Sequence, residues 1–561
     1  PANSGGAILN TTGGVLTATG GAMNNNTSVR AGGAIEEASG AAAGTTAVTL
    51  NNVNFSGNDA GPTPGNGGAL HVSGTGDIVV NGGTFDSNTA QEGGALWNGN
   101  GAMTVTGTTA TPVVISNNIA TCAATVNGPT GGPGAGGGGI FNIGGTLTVA
   151  GNTTITNNQA NGPVCSGGGI NTFNNSTLNV NSGVEISSNT ANRAGGGIEA
   201  NPGSTTVITG ATLTGNTAST TGGGGGGNGG ALHITGDGDA DITSSTISSN
   251  IAATEGGGLW NNTGTMFIDD SDIINNVANG TGPSNGGGGI FNNAGNSPAT
   301  EGPSDDGAGG FVSITGSTIT GNSAPNGSGS GGGILNNFAG EMAIFATTIA
   351  NNSAQRAGGG IETRGNGSVE IELSSLLANA AGPTPGNGGG LHVSGASTSV
   401  TIDASLVSNN TAASEGGGLW NDDGVMGLFD TSVLNNTASG DDASNGGGGI
   451  FANRGLLRVF DGRIAGNVAD GTSGSGGGVF TNTDAFTDLD GVEISANTAN
   501  RAGGGIENIG TTDLIEVVLG GTDASFGNIA FGPDPDNGSP GNGGGLHNGA
   551  GDVTIDTSSV G

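Results

Sequence analysis

The chain has 561 residues, of which 125 are glycine, 43 are acidic and only 8 are basic. A net charge of -35 leaves too few cations to neutralise phosphates, which argues against nucleic-acid binding and against docking on anionic membranes. A hydrophobic content of 32% is low for an ordinary enzyme core, and no apolar run is long enough to insert in a membrane as a helix. Composition alone would indicate disorder. The order of the residues indicates a repeat instead.

Each repeat begins with Gly-Gly-(Gly/Ala) followed by an aliphatic residue. The motif occurs 18 times, and the shortest intervals define a unit of about 27 residues. The extra residues of longer units are mainly Gly, Pro, Asn and Thr, which predict surface loops. The aliphatic residues are Ile8, Ile35, Leu70, Leu96, Ile140, Ile170, Ile198, Leu232, Leu259, Ile290, Ile334, Ile361, Leu391, Leu419, Ile450, Val479, Ile506 and Leu546.

Two further segments complete each unit. A short alternating stretch such as Val369-Glu-Ile371 comes first, and a second motif follows in which an aliphatic residue or Phe precedes Asn and Ala, as in Phe85, Asn88 and Ala90. The period is 2 throughout, which indicates strands. We therefore predict an all-β fold, a right-handed parallel β-helix of about 18 coils with three short strands each.

The recurrent polar and small residues have physical roles in this fold. The two glycines supply positive φ and room for a tight corner. Asn tolerates the left-handed conformation, and its amide can bond to the Asn one coil along, which predicts a ladder. Residues 1–561 are predicted to form one continuous solenoid. Both ends fall within a unit, which predicts either a window from a longer chain or ends paired with other subunits.

The coils cycle in fives, with super-repeats at approximately 30–192, 193–355, 356–500 and 501–561, the last incomplete. One coil of each cycle carries Arg and Glu six residues apart, which predicts either a clamp for carbohydrate or carboxylate or an ion pair that fixes a loop. A catalytic site needs one group of residues that converge on the substrate, whereas these Arg–Glu pairs recur in every cycle. The pairs are Arg30 with Glu36, Arg193 with Glu199, Arg356 with Glu362, and Arg501 with Glu507.

The next three coils of each cycle carry His, Trp and Phe directly after the aliphatic residue. Because side chains alternate along a strand, these rings are predicted to point outward as one stripe. The stripe could stack on sugars or on a neighbouring solenoid, or an adjacent loop could cover it. Its residues are His71, Trp97, Phe141, His233, Trp260, Phe291, His392, Trp420 and Phe451.

Cys122 and Cys165 are the only cysteines, and they follow the second motif in consecutive coils. Stacking would bring them within disulfide reach, so a disulfide is predicted, with two separate thiols as the alternative.

Acidic residues recur beyond the second strand of four successive coils, at Asp403, Asp430, Asp461 and Asp490. Stacked carboxylates suit Ca²⁺, so a calcium site is one hypothesis and solvated surface acids are the other. No other cofactor is expected.

The pair Gly67-Gly-Ala-Leu70 and Phe85-Asp-Ser-Asn88 resembles the repeats of the chlamydial polymorphic outer-membrane proteins and of autotransporter passenger domains. The resemblance extends over essentially the whole chain. It implies display at the cell surface and adhesion.

These observations favour a structural or adhesive extracellular solenoid, part of a stalk, adhesin or fibre that assembles with itself or binds a cell-surface glycan receptor. The chain is not expected to be an enzyme. The alternative is a secreted polysaccharide lyase or hydrolase, for which Arg454, Arg458 and Arg463 near Asp461 are the one constellation outside the repeat. Rows of Thr-x-Thr leave ice binding as a third class.

Overall fold

A computed structural model describes residues 4–62, 64–122, 135–219, 226–293, 310–521, 527–532 and 541–560. Within these ranges the fold is an all-β parallel solenoid of about 16 turns with three sheets and no helix. The number of turns is slightly below the predicted 18. The described residues include no helix with the length and apolar character needed to cross a bilayer.

The chain divides into two compact units, which are built from the same kind of coil. Unit 1 comprises the described residues up to 277, and unit 2 comprises the described residues from 278 onward. In both, every copy of the Gly-Gly motif starts a strand at its aliphatic residue. These first strands are Ile8–Thr11, Ile35–Ala38, Leu70–Val72, Leu96–Asn98, Ile140–Ile143, Ile170–Phe173, Ile198–Ala200, Leu232–Ile234 and Leu259–Asn261 in unit 1. In unit 2 they are Ile290–Asn292, Ile334–Asn336, Ile361–Arg364, Leu391–Ser394, Leu419–Asn421, Ile450–Phe460, Val479–Asp490, Ile506–Asn508 and Leu546–Asn548.

The second strands correspond to the alternating stretch of the repeat. In two coils they are continuous with the first strand, giving Ile450–Phe460 and Val479–Asp490. The others in unit 1 are Leu16–Thr19, Thr46–Asn51, Asp77–Asn81, Ala102–Gly107, Thr146–Gly151, Thr177–Val180, Thr205–Thr209, Asp239–Thr243 and Thr265–Asp269. In unit 2 they are Phe311–Thr315, Glu341–Phe345, Ser368–Glu372, Ser399–Asp403, Val425–Phe429, Thr511–Ile515 and Asp552–Asp556.

The second motif forms two strands rather than one, so a coil has four strands where the sequence predicts three. The chain turns at the motif's Asn, and the two residues after it form a separate short strand. Third strands are Ala22–Asn24, Asn54–Ser56, Gly83–Asp86, Val113–Ser116, Thr153–Thr156, Val184–Ser187, Thr212–Thr214, Thr246–Ser248, Asp272–Ile274, Thr318–Thr320, Thr348–Ala350, Ser375–Leu377, Leu406–Ser408, Ser432–Leu434, Arg463–Ala465, Glu493–Ser495, Val518–Leu519 and Ser559–Val560. Fourth strands are Thr27–Ser28, Asp59–Ala60, Thr89–Ala90, Ile119–Ala120, Gln159–Ala160, Thr190–Ala191, Thr217–Ala218, Ile251–Ala252, Val277–Ala278, Ser323–Ala324, Ser353–Ala354, Ala380–Ala381, Thr411–Ala412, Thr437–Ala438, Val468–Ala469, Thr498–Ala499 and Ile529–Ala530.

The core is a column of aliphatic side chains that stack coil on coil. Parallel pairing aligns Ile35 with Leu70, Leu70 with Leu96, and Leu96 with Ile140, and all four are fully buried. A single coil buries little by itself, but each added coil covers its neighbour's apolar face. This arrangement explains how a chain with 32% hydrophobic residues can hold a continuous core.

The two glycines of the motif have separate tasks. Gly67 has φ +65, the left-handed region that glycine enters without strain. Gly68 is needed for space, because a Cβ there would lie 2.1 Å from the carbonyl oxygen of Gly94 in the next coil. The sequence predicts that the glycines supply both positive φ and space. In the structure the first glycine supplies the positive φ and the second supplies the space.

A buried asparagine ladder follows the third strands, as the second motif predicts. Each Nδ2 donates to the Oδ1 of the ladder residue in the next coil at 2.8 to 3.0 Å. The ladder in unit 1 comprises Asn26, Asn58, Asn88, Asn118, Asn158, Asn189, Asn216, Asn250 and Asn276. In unit 2 it comprises Asn322, Asn352, Asn379, Asn410, Asn436, Asn467, Asn497 and Asn528.

The positive φ at this corner does not belong to the ladder residue. It belongs to the residue before it, as at Ser188 with φ 55 beside Asn189. The prediction that the ladder Asn supplies a left-handed backbone is therefore wrong. Asn occupies this position for its side chain, which satisfies backbone and amide groups in two neighbouring coils.

Replacing Asn189 with alanine should lower the free energy of unfolding by about 1–3 kcal/mol, because buried partners would lose their bonds. The Asn189 amide donates to Asn216 and to the Ile155 carbonyl, and its Oδ1 accepts from Asn158. Thermal melts of the variant should be compared with those of Asn161→Ala, which changes an exposed asparagine. Equal melting temperatures for the two variants would contradict a structural role for the ladder.

Candidate functional site: buried charged and aromatic columns

The residues directly after the aliphatic position form a second column outside the core. Parallel register aligns Glu36 with His71, His71 with Trp97, and Trp97 with Phe141. We call such a set, from Glu through His and Trp to Phe, a charged-aromatic column. The Glu–His alignment recurs at Glu199 and His233 in unit 1, and at Glu362 and His392 and at Glu507 and His547 in unit 2. Trp260 follows His233 and Trp420 follows His392, whereas the set at Glu507 consists of Glu and His alone.

The column residues are buried, which fits the second of the two alternatives for the stripe, cover by an adjacent segment, and not an exposed contact surface. Eight of the nine stripe residues have at most 7% of their surface exposed, and Trp97 is half-buried. The eight are His71, Phe141, His233, Trp260, Phe291, His392, Trp420 and Phe451. These side chains point away from the core, as alternation predicts. Side chains of residues that precede the glycines cover them and exclude solvent.

Each column starts with a buried carboxylate held by cationic and polar groups. Glu199 is fully buried, and its oxygens lie 3.5 Å from Nη1 of Arg193, 3.0 Å from Nδ1 of His233 and 2.7 Å from the Thr235 hydroxyl. Arg30, His71 and Ser73 hold Glu36 in the same way. Of the two sequence hypotheses for the Arg–Glu coil, this geometry fits the ion pair, because a buried carboxylate cannot clamp an external ligand.

The environment of each carboxylate decides the direction of its pKa shift. Burial alone would raise the pKa of Glu36 and Glu199, but their bonds to His and Arg outweigh it and hold both pKa values below the usual range. The pKa of Glu362 is also lowered against burial, with Arg356 as the largest opposing influence. Burial raises the pKa of Glu507 in spite of His547 and Arg501.

The column that begins at Glu362 differs in its histidine. Nδ1 of His392 is 3.8 Å from the carboxylate, compared with 2.8 to 3.0 Å for the histidines of the other columns. Burial lowers the pKa of His392 to about 4, and the attraction of Glu362 is opposed by Arg356 and Arg364. His392 is therefore neutral at physiological pH.

The rings stack at the spacing of the coils. Ring centroids are 4.2 to 4.3 Å apart between His and Trp in three columns. In unit 2 the stack continues from Trp420 to Phe451 at 6.4 Å and from Phe451 to Phe480 at 4.8 Å. Aromatic pairs of this kind stabilise by about 0.5–1.5 kcal/mol beyond the area they bury. The columns therefore hold adjacent coils in register.

A second set of carboxylates accompanies the tryptophans, and sequence reasoning missed it. Nε1 of Trp260 donates to Glu255 at 3.2 Å, and Nε1 of Trp420 donates to Glu415 at 2.9 Å. Glu92 occupies the equivalent place beside Trp97, but its buried oxygens make no hydrogen bond of ordinary geometry. The available signal was that each Trp follows a Glu by five residues.

Glu92→Gln should stabilise the fold at pH 8 by about 1–3 kcal/mol and have little effect at pH 4. Burial raises the pKa of Glu92 from 4.5 to about 8, so the folded chain binds a proton that the unfolded chain releases. Stability is therefore lost as pH rises from about 4.5 to about 8, and the amide avoids that loss. Thermal melts at both pH values test this, with the exposed Glu185→Gln as control. A stabilisation that is the same at both pH values would contradict it.

The four aspartates of the calcium hypothesis do not form one column. Asp403 aligns with Phe429, and Asp490 aligns with Phe460, at the last position of the second strand. Asp430 and Asp461 lie one residue later, in the turn, with φ 44 and 50. Among the described residues, no group of three or more His, Cys, Asp or Glu side chains could hold a metal ion. The prediction that the four aspartates stack in one column is therefore wrong, because two of them lie one residue later than the other two.

Cys122 and Cys165 form a disulfide with a Cα–Cα distance of 5.8 Å. Both are buried and pack with Ala120, Ala160 and Ala191. The bond joins consecutive coils across 43 residues of sequence, of which 123–134 lie outside the described residues.

Arg454, Arg458 and Arg463 are engaged in exposed ion pairs with neighbouring coils. Arg454 contacts Asp422 and Asp423 at 2.9 and 2.8 Å, while Arg458 and Arg463 lie 3.8 and 3.5 Å from Asp488 and Glu493. Each arginine has an acid of its own, so they do not converge on one point as a catalytic centre would require.

These features define a parallel β-helix with an asparagine ladder, in which the distinctive side chains of each super-repeat are internal. Comparison with protein-family models, with curated proteins and with solved structures finds no match to this chain.

Proposed function

We propose that the chain is a structural and adhesive segment of an extracellular solenoid protein, part of a cell-surface stalk, adhesin or fibre. The observation that carries the proposal is the burial of the charged-aromatic columns. The buried Glu, His, Trp and Phe side chains of each super-repeat contact the next coil. The super-repeat therefore has a structural role and is not a series of catalytic sites.

Two further observations support an extracellular location. The buried disulfide suits an oxidising compartment. The resemblance of the Gly-Gly and Phe-x-x-Asn motifs to chlamydial polymorphic outer-membrane proteins and autotransporter passengers favours the same place. The strongly acidic surface keeps such a protein soluble at high local density.

The geometry favours this function over a polysaccharide lyase or hydrolase. Those enzymes need an acid and a base positioned at one cleft. The carboxylates and the histidine with shifted pKa values in the columns are buried, and the three arginines proposed for the alternative are individually paired with acids.

Labelling of intact cells tests the proposal. An antibody raised against the chain should label intact cells of the producing organism, and external protease should remove the signal without lysing the cells. A cytoplasmic enzyme from the same cells serves as the control for integrity. Signal that appears only after permeabilisation would contradict the proposed location.

A further inference from the structure

The outer face of the second strands in unit 2 carries an apolar patch. Val425, Phe429 and Ile515 are 44%, 40% and 38% exposed, and three half-buried residues lie between them. We call this set the phenylalanine patch; it comprises Val425, Phe429, Leu456, Phe460, Phe486 and Ile515, on adjacent paired strands. Charged residues lie among these side chains, with Arg458 and Asp488 along the middle of the patch and Asp490 between Phe460 and Ile515. Exposed apolar surface bordered by polar residues marks an interaction site.

The patch is built as a flat surface. The rings of Phe429 and Phe460 stack with centroids 5.4 Å apart and planes within 10°. Gly427 makes room for them, because a Cβ there would lie 3.2 Å from the Phe429 ring. On the corresponding face of strand Ala102–Gly107 in unit 1, the outer residues are Ala102, Thr104 and Thr106. Exposed phenylalanines also occur on second strands elsewhere, at Phe267 and Phe345, but the stacked pair Phe429–Phe460 with apolar neighbours on adjacent strands belongs to these coils.

Charge at the patch distinguishes it from the rest of this acidic chain. Arg458 lies at its centre, 51% exposed, and Arg454 and Arg463 of the same coil are 48% and 47% exposed. The arginines in the columns are exposed by 35% or less. Each of these three arginines already lies beside an acid of a neighbouring coil, but about half of its side chain stays accessible to a carboxylate of a second chain.

We propose that the phenylalanine patch docks a second copy of this chain, so that two solenoids associate side by side. The inference rests on the proposed function, since lateral pairing is what a stalk or fibre uses. A pair of identical faces requires a two-fold axis. An axis along the solenoid would place Arg458 against Arg458, whereas an axis parallel to the strands, between the coils of Arg458 and Asp488, places opposite charges together.

Register then fixes the contacts. Arg458 and Asp488 are partners on adjacent strands, so this axis sets Arg458 of each copy opposite Asp488 of the other. It also sets Leu456 opposite Phe486, Phe429 opposite Ile515 and Phe460 opposite Asp490, twice in each pair, so two of these three contacts are apolar. Asp488 has Asp490 and Asp513 as neighbours and a 3.8 Å contact to one arginine. A second arginine therefore improves the charge balance.

Charge reversal tests the proposal by sedimentation of the full chain. Arg458→Asp and Asp488→Arg should each weaken self-association about tenfold or more, because each variant places like charges across the axis. An equimolar mixture should recover association to within about threefold of the unchanged chain, since the two variants are complementary. A local folding role for either residue could not produce this recovery. Failure of the mixture to associate would overturn the proposal.

The apolar contribution is tested separately. Phe429→Thr combined with Phe460→Thr should also weaken association about tenfold or more. Phe345→Thr is the matched control, because Phe345 is 41% exposed on the same face but aligns with Thr315 and Glu372, and it should have no effect. Equal effects of the two changes would count against the patch.

Two other outcomes would overturn the proposal. One is that the chain without substitutions stays monomeric at every concentration. The other is a monomer that binds a soluble polysaccharide and loses that binding in the Phe429/Phe460 double variant, which would make the occupant a glycan. Failure here is distinguishable from failure of the proposed function, because labelling of intact cells does not depend on pairing.

Discussion

Gly68→Ala should destabilise its coils by about 3 kcal/mol or more, the upper end of the cost of overpacking. The added Cβ would lie 2.1 Å from the Gly94 carbonyl oxygen and 2.8 Å from the backbone of Thr89. Both obstacles are backbone atoms, so the clash cannot be relieved by a change of rotamer. Relief requires adjacent coils to separate, which breaks the parallel pairing between them.

Gly74→Ala is the matched control, because no atom lies within 4 Å of a Cβ at Gly74 and its φ is ordinary. Hydrogen exchange resolved by peptide suits this comparison, since long repeat arrays need not unfold in one step. Protection should fall in the coils around Gly68 and stay unchanged in the control. Equal protection in both variants would show that the motif's second glycine is not required for space.

Glu199→Ala should cost about 3–5 kcal/mol, because breaking a buried ion pair leaves its partners uncompensated. Arg193 and His233 are 8% and 0% exposed, so neither can turn to water without moving the coil. The exposed Glu185→Ala in the neighbouring coil should change stability by less than about 0.5 kcal/mol. Denaturant unfolding of the two variants measures the difference.

The same carboxylate predicts an acid-sensitive contribution. The folded pKa of Glu199 is lowered from 4.5, so the stability it adds is present above pH 4.5 and is lost as pH falls through the folded pKa. The pH dependence is opposite to that of Glu92, whose contribution to stability is lost as the pH rises. If Glu199→Ala and Glu185→Ala lost equal stability at pH 7, the ion pair would not hold the coils together.

The coil itself could be predicted from the sequence because its determinants are local and repeated. Each aliphatic residue keeps a fixed distance from its glycines, and each ladder Asn follows the third strand at a fixed distance. Stacking then leaves little choice of register. The fourth strand was missed because two residues, such as Thr190–Ala191, are too short to show a period.

The burial of the columns could not be predicted from alternation. Alternation correctly placed His71 and Trp97 on the outer side of their strands, but the outer side of the first sheet is not solvent. Residues just before the glycines, such as Glu255 and Glu415, cover it, and alternation along the strand carries no information about them, although each lies five residues before a Trp. Likewise, Asp403 and Asp430 seemed equivalent because strand ends are not visible in the sequence, although one lies on a strand and the other in a turn.

The central claim is that the Glu, His, Trp and Phe side chains of the charged-aromatic columns lie inside the molecule. The tryptophans test this claim most directly, because all three of them belong to the columns. Single-tryptophan variants, with the other two changed to Phe, should be titrated with iodide and acrylamide. Trp260 and Trp420, 4% and 7% exposed, should be quenched weakly, and half-buried Trp97 more strongly. Quenching of Trp260 and Trp420 as strong as that of free indole would show that the column is a surface, and would contradict the account.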